Sequence, residues 1–141
     1  CDGDFIIACD DACVSLVSQR TDWIIDLGAS YHITPNREIF SSYAVGDFGK
    51  VKIANHGMTE AVGIGDVVLV SDTGSKLILS DVRNVPDIPL NIISTGKLDD
   101  EGYESYFGEG QWKLTKDSQI IASCLKQNSL YLMQAEMYPR K

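Results

Sequence analysis

Residues 23–30 read Trp-Ile-Ile-Asp-Leu-Gly-Ala-Ser, and this stretch decides the predicted fold. Its three apolar residues predict a buried strand, and Asp26 follows directly at the strand's end. Gly28 permits a tight turn that another piece of backbone can approach closely. The small side chains of Ala29 and Ser30 leave room for a second copy of the same loop. The stretch therefore predicts a carboxylate held at the end of a core strand.

The Asp-x-Gly pattern is weak by itself, because it occurs at Asp26, Asp47, Asp72 and Asp100. Asp72 reads Asp-Thr-Gly, but it lies between two apolar runs, where a hairpin turn requires Asp, Gly and Ser. Asp47 lies in a polar connection, and Asp100 lies at the end of a predicted short helix. Asp26 combines an apolar strand before it with small residues after it, which the other three do not.

The setting of Asp26 suits the chemistry of an aspartic endopeptidase. In such an enzyme two carboxyls about 3 Å apart share one proton, because both cannot ionise at that distance. One carboxyl acts as general base toward water, and the other acts as general acid toward the peptide. The alternative for Asp26 is a turn aspartate in an unrelated β-protein.

Most of the remaining sequence reads as short strands separated by turn residues. Apolar or alternating runs occur at residues 23–25, 51–54, 58–62, 67–70, 76–79, 82–85, 103–107, 112–115, 119–122 and 130–132. This spacing predicts an all-β barrel or sandwich. One helix is predicted over 95–101, with Ser94 or Thr95 as N-cap and Gly102 after its end. A second short turn or helix is expected after Asn36.

Composition and charge exclude several classes of function. The chain has 141 residues and a formal net charge of −8, which suits one domain and leaves no basic surface for sequence-independent binding of DNA or RNA. The charge also disfavours docking on anionic membranes, and no apolar run approaches the roughly 20 residues of a membrane-spanning helix. No zinc site is expected from the spacing of the cysteines, which we expect to be reduced thiols in an intracellular protein: Cys1, Cys9, Cys13 and Cys124.

Two motifs in order give the chain a resemblance to a known family. The first, W-x-x-D-[ST]-G-A-[ST]-x-H-[IVM]-[ST], is matched at Trp23, Asp26, Gly28, Ala29, Ser30, His32, Ile33 and Thr34. The second, V-x-x-V-P-x-[IL]-x-x-N-[IL]-[IL]-S, is matched at Val82, Val85, Pro86, Ile88, Asn91, Ile92, Ile93 and Ser94. Over residues 20–133 the chain resembles the protease region of Copia-type retrotransposon Pol polyproteins, the retropepsin-like, Tnt-type Pol β-barrel domain.

The resemblance implies a fold and an activity. The fold would be a retropepsin-like closed β-barrel at 21–133 with a flap hairpin and one short helix, between a leader or linker at 1–20 and a tail at 134–141 toward the pre-integrase segment. Asp26 would be the single catalytic residue of each chain, so the active unit would be a homodimer. The substrate would be a polypeptide, the element's own Gag-Pol precursor, in cytoplasmic virus-like particles. No cofactor, metal, direct nucleic-acid contact or membrane contact is implied.

The resemblance also implies three groups of site residues around Asp26. The active-site loop would continue through Leu27, Gly28, Ala29 and Ser30. The flap would span 52–62 and close over an extended peptide. Its tip would carry Asn55, His56, Gly57 and Met58. A second loop packed beneath Asp26 would consist of Asn91, Ile92, Ile93 and Ser94.

Leu27 departs from the family pattern, which has Ser or Thr after the catalytic Asp. In the family that hydroxyl hydrogen-bonds across the dimer and braces the two active-site loops, whereas a leucine side chain has no donor or acceptor. A second function therefore stays open: a catalytically impaired β-barrel that serves as a dimerisation or structural module of the same polyprotein.

Simpler structural roles are expected for the other candidate residues. His32 is expected to pack or hydrogen-bond after the active-site loop, because aspartic proteases need no histidine. His56 is expected to be a solvated turn residue. Gly63 and Gly65 are followed by neither a helix nor a Lys-Ser/Thr pair, so a bulge or a close crossing of strands is expected instead of a phosphate-binding loop.

Overall fold

A computed structural model describes the chain at residues 5–7, 22–53 and 57–138. Its regular structure there is mostly β-strand, which confirms the predicted all-β class. One α-helix, α1, spans Thr95–Asp100, and one 3₁₀ turn spans Arg37–Ile39. The strands are β1 Phe5–Ile7, β2 Asp22–Asp26, β3 Ile33–Thr34, β4 Ser42–Val45, β5 Lys50–Ile53, β6 Gly57–Glu60, β7 Gly63–Val70, β8 Lys76–Asn84, β9 Asn91–Ser94, β10 Glu104–Gly108, β11 Gln111–Lys116, β12 Gln119–Gln127, β13 Leu130–Gln134 and β14 Glu136–Met137.

The strands of the described residues form two hydrogen-bonded sheets. The larger has the order β10-β11-β12-β13-β2-β9-β3-β8-β7-β14, with β4 paired to β7 off this path. Most neighbours are antiparallel, but β2 runs parallel to β9 and β3 runs parallel to β8. A closed barrel was expected, yet within the described ranges the order does not return from β14 to β10. These two end strands each pair on one side, and β14 has only two residues.

Strand β2 lies in the centre of the core because both of its faces are apolar. Ile24 packs into one cluster together with Ile92, whereas Trp23 and Ile25 pack into a second cluster together with Ile93. All five side chains are buried. Burial of one such side chain contributes about 1.5–3 kcal/mol to stability. The backbone that leads into Asp26 is therefore held from both faces of the sheet.

The smaller sheet contains the hairpin expected as the flap. Strands β5 and β6 pair antiparallel, with Lys52 opposite Met58, and β1 pairs with β5 in parallel. The tip residues Asn55 and His56 lie outside the described residues, as do Cys1, Cys9 and Cys13. The hairpin begins its return strand at Gly57, whose φ of +77° favours glycine.

The sheets extend past both predicted ends of the domain, residues 21 and 133. Strand β1 falls within the stretch 1–20 that was predicted as a leader, and it is hydrogen-bonded to β5. Strand β14 falls within the predicted tail 134–141 and pairs with β7. Short strands at the ends of a chain carry too few residues to show a pattern in the sequence.

Helix α1 forms where the sequence predicts it. The Ser94 hydroxyl accepts a hydrogen bond from the Lys97 amide at 3.1 Å and so caps the first turn. Leu98 is the buried residue of the helix, and Gly102 follows its end with a φ of +92°. The 3₁₀ turn confirms the turn expected after Asn36. Among the described residues, no helix has the length and the apolar character that crossing a membrane requires.

The turn at Asp72 is a hairpin turn between β7 and β8, as predicted. The hydroxyls of Ser71 and Thr73 both donate to the carbonyl of Ile121 on β12. Asp72 itself is exposed, and its Asp-Thr-Gly sequence serves the turn. This aspartate is thereby separated from the candidate site.

Gly65 lies opposite Tyr43 where β4 pairs closely with β7. A Cβ atom at Gly65 would lie 1.8 Å from the carbonyl oxygen of Ser42, so no larger residue fits without a backbone shift. The register of β7 against β8 shifts between Gly65 and Val67. The register shift confirms the predicted bulge, whereas the close approach comes from antiparallel pairing of β4 with β7 and not from a crossing of strands.

Candidate active site

Asp26 is the last residue of β2, and its side chain is 8 % exposed. The amide of Gly28 donates to Oδ1 of Asp26 at 2.7 Å, which closes the tight turn predicted from the glycine. Burial raises the pKa of Asp26 above its ordinary value of 3.8, and hydrogen bonds from the amides of Gly28 and Ala29 oppose that rise in part. The carboxyl therefore holds a proton more readily than an exposed aspartate does, as a general acid requires.

The loop after Asp26 has one buried residue, Ala29, among exposed ones. Leu27 is 65 % exposed, and Gly28 and Ser30 are exposed as well. Ala29 is buried and packs into the same cluster as Ile24. The loop thus turns a large apolar side chain outward beside a buried carboxyl.

Ser94 ties this loop to the core. It lies opposite Asp26 in the parallel register of β2 and β9. Its hydroxyl donates to the carbonyl of Ala29 at 2.8 Å, and its amide donates to Nδ1 of His32 at 3.0 Å. The predicted second loop at residues 91–94 is therefore a strand, since the parallel pairing with β2 satisfies its backbone groups.

The other members of that predicted group support the fold. Ile92 and Ile93 are fully buried in the two core clusters. Asn91 lies at the opposite end of β9 from Ser94, where its Oδ1 accepts from the Thr34 hydroxyl at 2.6 Å and its Nδ2 donates to the carbonyl of Asp22 at 3.1 Å. The structure therefore brings Ser94 to the Asp26 loop and keeps Asn91 away from it.

His32 is fully buried and is not placed as a base. Burial, and then the positive charge of Lys97, lower its pKa to about 3. Its Nδ1 accepts from the Ser94 amide, so the ring is neutral with its proton on Nε2. The expectation that His32 hydrogen-bonds after the active-site loop is confirmed.

An open groove of about 760 Å³ lies beside the hairpin of β5 and β6. Thr59 on β6 donates to Oδ2 of Asp87 at 2.9 Å and links the hairpin to the segment before β9. Met58, predicted as a flap residue, is 51 % exposed. Asp26 is not among the residues that line the groove, which are Lys50, Met58, Thr59, Glu60, Val62, Pro86 and Asp87.

One contact next to the loop was not foreseen. The guanidinium of Arg83 lies 3.6 Å from the centre of the Tyr31 ring, and the Arg83 amide donates to the carbonyl of His32 at 2.9 Å. Arg83 occupies a variable position of the second motif, so no signal in the sequence marked it. Within the described part of the chain, no group of three or more His, Cys, Asp or Glu residues is placed to hold a metal ion.

Comparison with known proteins agrees with both motifs. The model of one protein family, described as "Pol polyprotein, beta-barrel domain", matches residues 23–103, which contain the Asp26 loop, the hairpin of β5 and β6, and β9. The chain belongs to this family. A relative of this Pol β-barrel domain is the "Retrovirus-related Pol polyprotein from transposon TNT 1-94" of Nicotiana tabacum, which is 42 % identical over 128 residues.

That alignment covers 91 % of this chain and 10 % of the tobacco polyprotein. The chain therefore spans about a tenth of the length of the relative that it matches. No solved structure matches the chain. The recognition of a Copia-type Pol polyprotein region from two motifs is confirmed at the level of the family.

Proposed function

We propose that this domain is an aspartic endopeptidase that acts as a homodimer, with one Asp26 from each chain. The observation that carries the proposal is the state of that carboxyl. It lies at the end of a core strand, 8 % exposed, with the Gly28 amide bound to Oδ1 and with its pKa raised by burial. Two such carboxyls brought face to face by a two-fold axis share one proton.

The chemistry uses the two carboxyls in opposite protonation states. The ionised Asp26 takes a proton from water, whose oxygen bonds to the peptide carbonyl carbon. The protonated Asp26 of the second chain gives its proton to the carbonyl oxygen. Collapse of the tetrahedral intermediate breaks the C–N bond, and the amine leaves with a proton from the pair. No metal or cofactor enters this reaction.

An extended polypeptide is the substrate that suits the hairpin of β5 and β6 and the groove beside it. Strand β6 of the flap pairs with β5 on one side, so its other edge is open to backbone pairing within the described residues. The adjoining groove combines exposed apolar side chains at Met58 and Val62 with charges at Lys50 and Asp87. Backbone pairing would supply affinity and the groove would supply side-chain selection.

The length comparison favours a substrate within the same polyprotein. Because the chain spans about a tenth of its tobacco relative, the domain is expected to sit among the segments it would separate. The proposed substrate is accordingly the element's own Gag-Pol precursor, cut in cytoplasmic virus-like particles.

Leu27 favours a second candidate function, a catalytically impaired dimerisation or structural module. The side chain is 65 % exposed beside Asp26 and offers no hydroxyl to brace a second loop. An apolar residue at this place stabilises contact between copies without ordering a carboxyl pair. The two candidates share the dimer and differ in whether a peptide bond is cut.

A cleavage assay with matched carboxylate variants tests the proposal. The chain is brought to a concentration at which sedimentation shows a dimer, and a mixture of peptides is incubated with it from acidic to neutral pH. We expect cleavage that is strongest at acidic pH and is lost in Asp26→Asn. Asp72→Asn is the control, since it removes a carboxylate from the other Asp-x-Gly sequence that lies in an exposed hairpin turn.

The outcomes separate the two functions. Cleavage that persists in Asp26→Asn overturns the proposed chemistry. A verified dimer that cuts no peptide, either as the parent chain or as Leu27→Ser, supports the structural module instead.

A further inference from the structure

The loop that carries Asp26 is fastened within its own chain by a set of contacts that we call the His32–Ser94 clasp. It consists of the bond from the Ser94 amide to Nδ1 of His32, at 3.0 Å, and the bond from the Ser94 hydroxyl to the carbonyl of Ala29, at 2.8 Å. The Ala29 amide in turn binds the Asp26 carboxyl. The clasp therefore reaches that carboxyl through Ala29.

Both ends of the clasp are anchored in regular structure. Ser94 is the last residue of β9 and the N-cap of α1, where its hydroxyl also accepts from the Lys97 amide. The carbonyl of His32 accepts from the Arg83 amide of β8 at 2.9 Å. Two strands and one helix thus hold the loop, and none of these contacts involves a second chain.

Burying the His32 imidazole costs more free energy than burying an apolar side chain that would fill the same space. It is fully buried, and its Nε2 has no hydrogen-bond partner among the described residues. A leucine in its place would remove that unpartnered nitrogen but would leave the Ser94 amide without an acceptor. The imidazole therefore supplies a hydrogen-bond acceptor for one donor, the Ser94 amide.

We propose that His32 is a positioning residue for Asp26, which acts through Ser94 and sets the loop within one chain before a partner binds. The inference rests on the proposed function for its catalytic meaning. Leu27 has no hydroxyl to brace the loop across a dimer, so in this chain the bracing of the loop rests on the clasp. Lys97 and Arg83 adjoin the clasp through their backbone amides, which donate to the Ser94 hydroxyl and to the His32 carbonyl. Burial, and then the positive charge of Lys97, disfavour a proton on His32, so that the acceptor persists in acid.

Carbon-detected NMR titration of the Asp26 carboxyl in the whole chain, with amide exchange at Gly28 and Ala29, tests this role without any substrate. In His32→Leu we expect the pKa of Asp26 to fall toward its ordinary value, because burial is the larger influence on it. We expect exchange at the two amides to become roughly tenfold faster, as for the loss of one hydrogen bond. His32→Asn keeps an acceptor oxygen near the place of Nδ1 and should restore both values.

Two serine variants, Ser94→Ala and Ser71→Ala, test the proposal even if His32→Leu does not fold. Ser94→Ala leaves the imidazole in place but removes the bond to Ala29, and should loosen the same two amides. Ser71→Ala is its control, because it removes another buried hydroxyl, which donates to the carbonyl of Ile121 in another part of the sheet. We expect parental behaviour at Gly28 and Ala29 in that control.

The result that overturns the proposal is an Asp26 pKa and loop exchange unchanged in both His32→Leu and Ser94→Ala. Equal loosening in Ser71→Ala would also overturn it, since the effect would then be general destabilisation. A parent chain that cuts no peptide would count against the proposed function and would leave these measurements unaffected.

Discussion

Asp26 and Ser94 lie opposite one another on the parallel strands β2 and β9, and the Ser94 hydroxyl reaches the carbonyl of Ala29 at 2.8 Å. The two residues belong to the two separate motifs of the chain. Pairing of the strands therefore joins the motifs into one site. Because both strands lie in the core, the position of the Asp26 carboxyl depends on packing that involves most of the domain.

The first prediction concerns Asp26→Asn and the pH dependence of stability. The folded pKa lies above 3.8, so the unfolded chain loses this proton first as pH rises. Stability is therefore lost on the alkaline side of that value, by up to about 1.4 kcal/mol for each unit by which the pKa is raised. The variant should be more stable than the parent at neutral pH and equally stable below 3.8.

Urea unfolding across that pH range measures the difference. Asp72→Asn removes one negative charge from an exposed turn and controls for net charge. A difference between Asp26→Asn and the parent that grows toward acid, instead of toward neutral pH, would contradict the raised pKa.

The second prediction concerns His32, whose effect on stability changes with pH in the direction opposite to that of Asp26. The unfolded histidine takes up a proton below its ordinary pKa of 6.5, while the folded one stays neutral down to about 3. Stability should therefore fall as pH decreases through this window, by at most about 1.4 kcal/mol per pH unit. In His32→Asn this contribution is absent, so the variant's stability should depend less steeply on pH there.

The difference in stability between the parent and His32→Asn at each pH reports the contribution of His32, because Asp26 is present in both proteins. Parallel pH dependence of the parent and His32→Asn would show that the folded ring titrates as freely as the unfolded one.

The third prediction concerns the close pairing of β4 with β7 at Gly65. In Gly65→Ala the new Cβ would meet the Ser42 carbonyl at 1.8 Å, so the strands must move apart at a cost of about 1–3 kcal/mol. Gly108→Ala is the matched control, since a Cβ there meets nothing within 4 Å. Denaturant unfolding should show a loss for Gly65→Ala and little change for Gly108→Ala; equal effects would contradict the close approach.

Features with a local cause were predictable from the sequence. The turn at Asp72 needs only its own Asp, Gly and Ser residues, and α1 needs the cap at Ser94 and the glycine at Gly102. Asp26 was recognisable because an apolar strand and small residues flank it. In each case the decisive contacts lie within a few residues along the chain.

Features that depend on distant pairing were not predictable. The apolar residues of β2 and β9 are buried on both faces, so no alternation indicates which strand pairs with which. The partner of the His32 ring follows from that register and could not be named beforehand. Strand β4, with Tyr43 only half-buried and its neighbours exposed, has too weak a pattern to be read as a strand.

The last prediction concerns Leu27→Ser, which supplies the hydroxyl that the family pattern has. Leu27 is 65 % exposed, so the change should alter the stability of the single chain by no more than about 0.5 kcal/mol. In a dimer, one new hydrogen bond from each loop should strengthen association by roughly tenfold and raise peptide cleavage with it. Leu27→Ala separates the two effects, because it removes the same apolar surface without adding a hydroxyl. Sedimentation and cleavage should rank Ser above Ala; if the two behave alike, the hydroxyl braces nothing here, and the clasp within each chain is what orders the loop.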